Sequence, residues 1–423
     1  MPRMNDPKAF LSHLFDTAVA AADPMKVTAQ FLPPRPSGRL FVIGSGKASA
    51  RMAEAVEKHY GPCEGFVITR YGYGRPTKGI RIVEAAHPVP DATGEAATRE
   101  LLELVSDLGA NDTVLCLISG GGSALLCAPV DGLSLEDKME VNSALLASGA
   151  PIGEMNVVRK HLSNVKGGKL AAACHPAKVI NLLISDVPGD DPAMIASGPT
   201  VGDTSTAQDA QRILKARNIT LSAKVQHALE TAPPVISPDD PSLERVETWI
   251  IAAPSQSLAA AAEVAKDAGC DVRILGDAIE GEARDLAVEQ VRMTLNIQKG
   301  MTKDDAPVLM LSGGECTVTR RGDGIGGPNA EFTLAAAREL DGAAGIHVLA
   351  CDTDGVDGAA EVAGAYAGPD TLTNASYLGL SAPNALANND AHSFFAELKD
   401  QIVPGPTLTN VNDFRAILVM PTP

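Results

Sequence analysis

Val114-Leu115-Cys116-Leu117-Ile118-Ser119-Gly120-Gly121-Gly122-Ser123-Ala124-Leu125-Leu126 is the stretch on which the fold turns. An apolar run ends abruptly at three glycines, and a small-residue segment able to form a helix follows. The pattern predicts a buried parallel strand that delivers a loop to the mouth of an α/β sheet. Consecutive glycines leave backbone N–H groups bare and permit close approach, which suits phosphate or carboxylate oxygens. A tight turn without a ligand would use the same residues, so the case for binding rests on the rest of the chain.

Working outward, 423 residues exceed one ordinary core, and two domains are the expectation. A composition of 45% hydrophobic residues with 39 glycines and few aromatics is that of a soluble α/β enzyme. The net charge of −17 argues against nucleic acid or an anionic membrane as partner. An anionic substrate must then be met by a few local cations or by a metal. Seven cysteines without a Cys-x-x-Cys pair suit a reducing cytosol and give no zinc signature. With no apolar leader and no run long enough to span a bilayer, the expected location is the cytoplasm.

Upstream, a strand at 39–43 leads into Gly44-Ser45-Gly46-Lys47-Ala48-Ser49 and a helix towards Tyr60. Strands at 64–69 and 80–85 follow, and the loop His87-Pro88-Val89-Pro90-Asp91 caps a helix over 92–106. Downstream, residues 134–147 and 153–172 read as helices. The second carries Asn156, Arg159, Lys160, His161, Asn164 and Lys166, with Arg159 and Lys166 on nearly one face. A strand at 179–184 delivers Ser185-Asp186-Val187-Pro188-Gly189-Asp190-Asp191-Pro192, and Ala196-Ser197-Gly198-Pro199-Thr200 closes that loop. The proline-rich run 231–241 is the candidate linker. Beyond it strands and helices alternate again, so two α/β domains with a cleft between them are expected, over 1–235 and 242–423. Val308 to Glu315 repeats the strand-then-Ser-Gly-Gly arrangement, here Ser312-Gly313-Gly314.

Gly44-Ser45-Gly46-Lys47 is not a P-loop, because Phe41 replaces the leading glycine and Ala48 the magnesium-binding hydroxyl. It also misses the dinucleotide fingerprint, and a lysine in such a loop fits phosphate charge. Asp186, Asp190 and Asp191 crowd one turn. Close carboxylates repel unless a metal or proton relieves them, so Mg²⁺ binding or general-base work is their natural use, against a plain acidic turn. Asp352-Thr353-Asp354-Gly355-Val356-Asp357-Gly358 resembles the start of a calcium loop but has Ala363 at its twelfth position, which excludes an EF-hand. Arg159, Lys160 and Lys166 could bind substrate carboxylate or phosphate, or form a solvated face.

Taken together, Gly44 to Ser49, Ser119 to Leu125, Asp186 to Asp190 through Thr200, and Leu311 to Glu315 resemble the motifs of the class II glycerate kinases. So do Asp352 to Gly358 and Thr409-Asn410-Val411-Asn412-Asp413. The resemblance covers nearly the whole chain in the same order. It implies a Rossmann-like three-layer N-terminal domain and a smaller α/β domain containing a MOFRL region at about 306–420. It also implies ATP- and Mg²⁺-dependent phosphorylation of D-glycerate at the 2-hydroxyl, a phosphotransfer to an alcohol giving 2-phosphoglycerate. Pro328 stands where many relatives have arginine, and Leu408 where a glycine is common.

On this reading Lys47, Asp186, Asp190 and Arg159 are the catalytic candidates. Gly46, Ser119, Gly120, Gly121, Gly122, Ser123, Gly313, Gly314 and Asn329 would bind the cofactor, and Asp190, Glu315 and Asp354 the metal. Relatives labelled hydroxypyruvate reductases make an NAD(P)H-dependent reductase the alternative, and a two-lobed binding protein is a third class. The oligomeric state stays open, with a homodimer among the options.

Overall fold

The computed structural model describes residues 4–358 and 360–422. The chain forms two compact units. The first comprises Pro24–Asp186 and Asp190–Ile251; the second comprises the chain up to Asp23, Val187–Gly189, and the chain from Ala252 onward.

In the first unit, β1 (Leu40–Ser45), β2 (Glu64–Arg70), β3 (Ile80–Ala85), β4 (Thr113–Ile118), β5 (Lys178–Ile184) and β6 (Val246–Ala252) make one sheet in the order β3-β2-β1-β4-β5-β6. β1 to β5 pair in parallel. β1 and β4 are buried along their whole length, which is why they read as continuous apolar runs rather than alternating ones. The strand order reverses between β1 and β4, and in open α/β sheets ligands bind beyond the carboxyl ends at such a reversal. The loops leaving that point are Gly46-Lys47 and Ser119 to Ser123. Helices over 135–147, 152–161, 207–216 and 223–231 form their own apolar cluster around Leu145, Val158, Leu162, Leu214 and Leu229.

One expected element differs. The helix read over 153–172 stops at His161, and a separate helix begins at Lys169. Gly167 and Gly168 between them are left-handed, with φ of 59° and 80°. Periodicity carried the reading across a break that only the glycine pair marks. Arg159 and Lys166 therefore do not share a helix face.

The proline-rich run after Thr231 packs along the first unit: Ile236 N–H donates to Gly167 O at 2.9 Å, and Asp203 N–H to Ile236 O at 2.8 Å.

The second unit contains β7 (Asp271–Gly276), β8 (Gly281–Glu282), β9 (Val308–Gly314), β10 (Cys316–Thr317), β11 (Ile346–Asp352), β12 (Gly364–Ala367), β13 (Gln401–Ile402) and β14 (Asp413–Val419). Its main sheet runs β13-β12-β11-β14-β9-β7 and is mixed, with only β7 and β9 parallel. Alternation separates two faces. Leu309, Leu311, Leu349, Ala416 and Leu418 pack with Phe10, Leu14 and Phe15 of the N-terminal helix Pro7–Ala21 and with Leu258 and Ala262. Val308, Met310, Val348, Ile417 and Val419 pack on the other side with Val291, Phe332 and Phe395. Leu408 has a φ of 61°, a left-handed turn in which glycine would be unstrained.

Candidate active site

At the strand reversal of the first sheet, the lysine loop and the glycine loop are tied into one structure. Lys47 N–H donates to Gly120 O at 2.9 Å, and Ser119 N–H to Ser45 O at 3.1 Å. Ser119 Oγ accepts from Ala48 N–H at 3.0 Å and lies 3.2 Å from Ser49 Oγ. Thr69 Oγ1 donates to Gly46 O at 3.0 Å. Gly46 has a φ of 140°, and a Cβ on it would lie 2.1 Å from Ser119 Oγ, so the two loops meet this closely only because residue 46 has no side chain. The N–H groups of Gly120 and Gly121 have no acceptor among the described residues. Gly120 is buried and Gly121 half-buried, and neighbouring N–H groups of this kind are able to meet an anionic oxygen. Lys47 is half-buried, with its Cγ 3.2 Å from where a Gly121 Cβ would stand.

From the glycine loop a polar chain runs inward. Ser123 Oγ lies 2.8 Å from Ser197 Oγ, which donates to Asn156 Oδ1 at 3.0 Å. Arg159 Nη1 donates to the same Asn156 oxygen at 3.4 Å, and its Nε to Asn142 Oδ1 at 2.8 Å. Arg159 has no carboxylate partner among the described residues, and burial alone lowers its pKa. Lys166 is fully buried, donating to Ser123 O at 2.7 Å and Leu126 O at 3.0 Å. Burial pushes its pKa well down, and Lys138, Arg159 and Lys160 push the same way. Lys160 is held by Asp203 at 2.5 Å. In a chain of net charge −17, Arg159 and Lys166 are basic side chains without an acidic partner among the described residues. Ala196, Ser197 and Gly198 are all left-handed, with φ of 52°, 61° and 57°, so Ser197 is presented on a strained turn.

The structure thus brings Gly46, Lys47, Ser119, Gly120, Gly121, Gly122 and Ser123 together, with Arg159 linked through Asn156 and Ser197. Asp186 and Asp190 are half-buried in the turn after β5, Asp190 at a φ of 54°. Asn156, Ser197 and His87 are residues of this region to which the sequence assigns no specific role. Lys166, expected as an anion ligand or part of a solvated face, instead holds the carbonyls of Ser123 and Leu126, and the left-handed glycines after it are the sequence signal for that break.

In the second unit, Gly313 and Gly314 form the buried end of β9, and Gly313 O accepts from Ile279 N–H at 3.0 Å and Arg415 Nη2 at 2.6 Å. Asn329 is buried, its amide donating to Asp413 Oδ1 at 2.7 Å and Asp357 Oδ1 at 3.3 Å. Asp357 accepts from Asn329 and Ala330 N–H at the start of the helix Pro328–Leu340, where an anion is favoured. Pro328 occupies the first helical turn, where a missing N–H costs nothing. Glu315 is exposed and Asp354 buried, with Asp354 Oδ1 accepting from Val356 N–H at 2.8 Å. No group of three or more His, Cys, Asp or Glu side chains fit to hold a metal occurs among the described residues.

Asp413 is buried against Asn329 and Arg415, and burial raises its pKa to about 7 even though Arg415 opposes the shift. A carboxyl whose folded pKa exceeds its unfolded value holds its proton more tightly when folded. Its contribution to stability is full below pH 4 and is lost as pH rises through about 7. Urea unfolding at pH 5 and pH 7.5 is expected to show this loss in the native chain and a smaller one in Asp413→Asn. Equal losses in both would remove Asp413 as the source.

Comparison with known proteins agrees with this architecture. Residues 10–230 match the family described as a domain of unknown function, DUF4147, and residues 308–413 match the MOFRL family. An Agrobacterium vitis protein provisionally named hydroxypyruvate reductase is 47% identical over 97% of this chain and 94% of its own length. The D-glycerate 2-kinase of Thermotoga maritima is 38% identical over 94% of each. A crystal structure of a Thermotoga maritima glycerate kinase superposes with a TM-score of 0.86 at 36% identity, covering 98% of this chain and all of that one. With identity at this level along almost its full length, the chain belongs to the glycerate kinase family, a DUF4147 region followed by a MOFRL region.

Proposed function

We propose that this chain is a glycerate 2-kinase, transferring the terminal phosphoryl group of ATP to the 2-hydroxyl of D-glycerate. The observation that carries the reading is the pair of acceptor-less N–H groups of Gly120 and Gly121 beside Lys47 at the strand reversal. Phosphoryl transfer needs alignment and charge stabilisation more than covalent chemistry, and these groups supply both. Gly46 and Ser119 hold the two loops together, while Gly122 and Ser123 begin the short helix behind them. Arg159, a cation without a counter-ion among the described residues, would take the glycerate carboxylate, with two N–H groups able to meet two oxygens. Asp186 or Asp190 would accept the hydroxyl proton.

Mg²⁺ arriving with the nucleotide would neutralise phosphate charge. In such sites the ion rests mostly on phosphate oxygens and waters with one or two carboxylates, so separate oxygen donors fit it better than a preformed cage. Within the first unit Asp190 is the carboxylate this reading assigns to it. Glu315 and Asp354 are the second unit's own metal candidates, with Gly313 and Gly314 its backbone candidates, and Asn329, tied to Asp357 and Asp413, would act by holding that unit's loops rather than by direct contact.

The test is to incubate the chain with D-glycerate, ATP and Mg²⁺, and separately to incubate it with hydroxypyruvate and NADH or NADPH. NMR of the product should give 2-phosphoglycerate, with no nucleotide oxidation in the second mixture. Formation of 3-phosphoglycerate would refute the position of attack, and hydroxypyruvate-dependent NAD(P)H oxidation without phosphorylation would refute the kinase. A cytoplasmic location and a homodimer belong to the same proposal and are tested by fractionation and sedimentation.

A further inference from the structure

We propose that His87 is a catalytic residue of this site, its imidazole N–H donating to the transferring phosphoryl group beside Lys47. The proposal rests on the kinase reading above and adds a second side-chain donor to it.

His87 lies in the loop that leaves β3, and that loop is anchored at its far end. Asp91 Oδ1 caps the helix Ala92–Val105 by accepting from Gly94 N–H at 2.9 Å, and Asp91 Oδ2 accepts from Tyr71 Oη at 2.8 Å. Tyr71 N–H in turn donates to Ala85 O at 3.1 Å. The loop has little freedom to swing the imidazole away. At the other end, Gly121 is left-handed with a φ of 80°. A Cβ on it would lie 3.0 Å from both Nε2 and Cδ2 of His87 and 3.2 Å from Lys47 Cγ. The Nε2 edge of the ring and the lysine stem therefore converge on the space that a Gly121 side chain would fill. The N–H of that residue and of the one before it have no acceptor among the described residues. His87 is half-buried and follows β3 at the carboxyl ends of the sheet, where ligands of open α/β sheets bind.

In the step, the glycerate 2-oxygen forms a bond to the γ-phosphorus, the bond from that phosphorus to ADP breaks, and the hydroxyl proton goes to the carboxylate base. His87 exchanges no proton. It donates to a non-bridging oxygen of the group in flight, as preorganised donors do elsewhere in transferase sites.

The experiment compares the full chain with His87→Ala and His87→Gln, the latter keeping an N–H donor at the reach of Nε2. Steady-state turnover is measured with D-glycerate, ATP and Mg²⁺. Calorimetry gives the affinity for a nonhydrolysable ATP analogue and for ADP. Expected for His87→Ala are a kcat lower by about 100-fold, analogue binding weaker by about tenfold, and unchanged ADP binding and glycerate KM. His87→Gln should recover part of both losses. A kcat within threefold of the native value, or equal weakening for the analogue and ADP, overturns the proposal. If His87→Ala fails to fold by circular dichroism, His87→Gln carries the same comparison with a smaller loss expected. A native chain that binds both nucleotides but makes no phosphoglycerate would sink the kinase reading. The analogue-to-ADP comparison still judges His87 in that case.

Discussion

Lys47→Ala is expected to lower kcat for glycerate phosphorylation by about 10²- to 10³-fold, the usual cost of removing one preorganised charge donor. The joint between the two loops should survive, because its hydrogen bond comes from the Lys47 backbone N–H to Gly120 O and alanine keeps it. The lost stem is half-buried, with its Cγ beside the place a Gly121 side chain would take, so the melting temperature is read beside turnover. A scanning-calorimetry trace beside a turnover assay checks both halves. Near-native turnover would remove Lys47 from the catalytic set, and a large melting shift would make its role structural.

Arg159→Met should separate binding from stability in the opposite sense. Among the described residues the guanidinium meets two amide oxygens and no acidic side chain, and burial disfavours its charge. If the glycerate carboxylate is its intended partner, removal should raise KM for D-glycerate by about 10²- to 10³-fold, in line with the cost of breaking a buried charge pair. Arg159→Lys should rescue little, because a point charge does not reproduce two parallel N–H groups. Without substrate, the methionine variant should be as stable as the native chain or more so, since a half-buried cation with no acidic partner among the described residues has been removed. A variant that is destabilised in urea with an unchanged KM would show Arg159 to be a packing residue.

Much of this was readable from the chain. β4 and β1 announced themselves because strands buried on both faces leave unbroken apolar runs, and the glycine and lysine loops follow directly from them. That the two loops lie side by side was not readable, because strand order is set by pairing between distant segments and leaves no local mark. Lys166 was assigned to the face of a helix that ends before reaching it; its partners, the carbonyls of Ser123 and Leu126, lie about forty residues away in sequence. Arg159 drew notice as a cation in an acidic chain, but its lack of a counter-ion is a statement about neighbours that only coordinates can make. His87 sits between prolines without periodicity and passed as a loop residue.

The second unit is assembled from stretches far apart in the chain. Its helix Pro7–Ala21 packs beneath β9, β11 and β14, and β14, Asp413–Val419, lies in the middle of the sheet between β11 and β9. On the ribosome that helix must therefore wait, its apolar face bare, until β14 has been made. Chaperone demand and sensitivity to stalling should concentrate in that interval, and a premature stop anywhere before Asp413 should yield a chain that is degraded rather than one that is merely inactive.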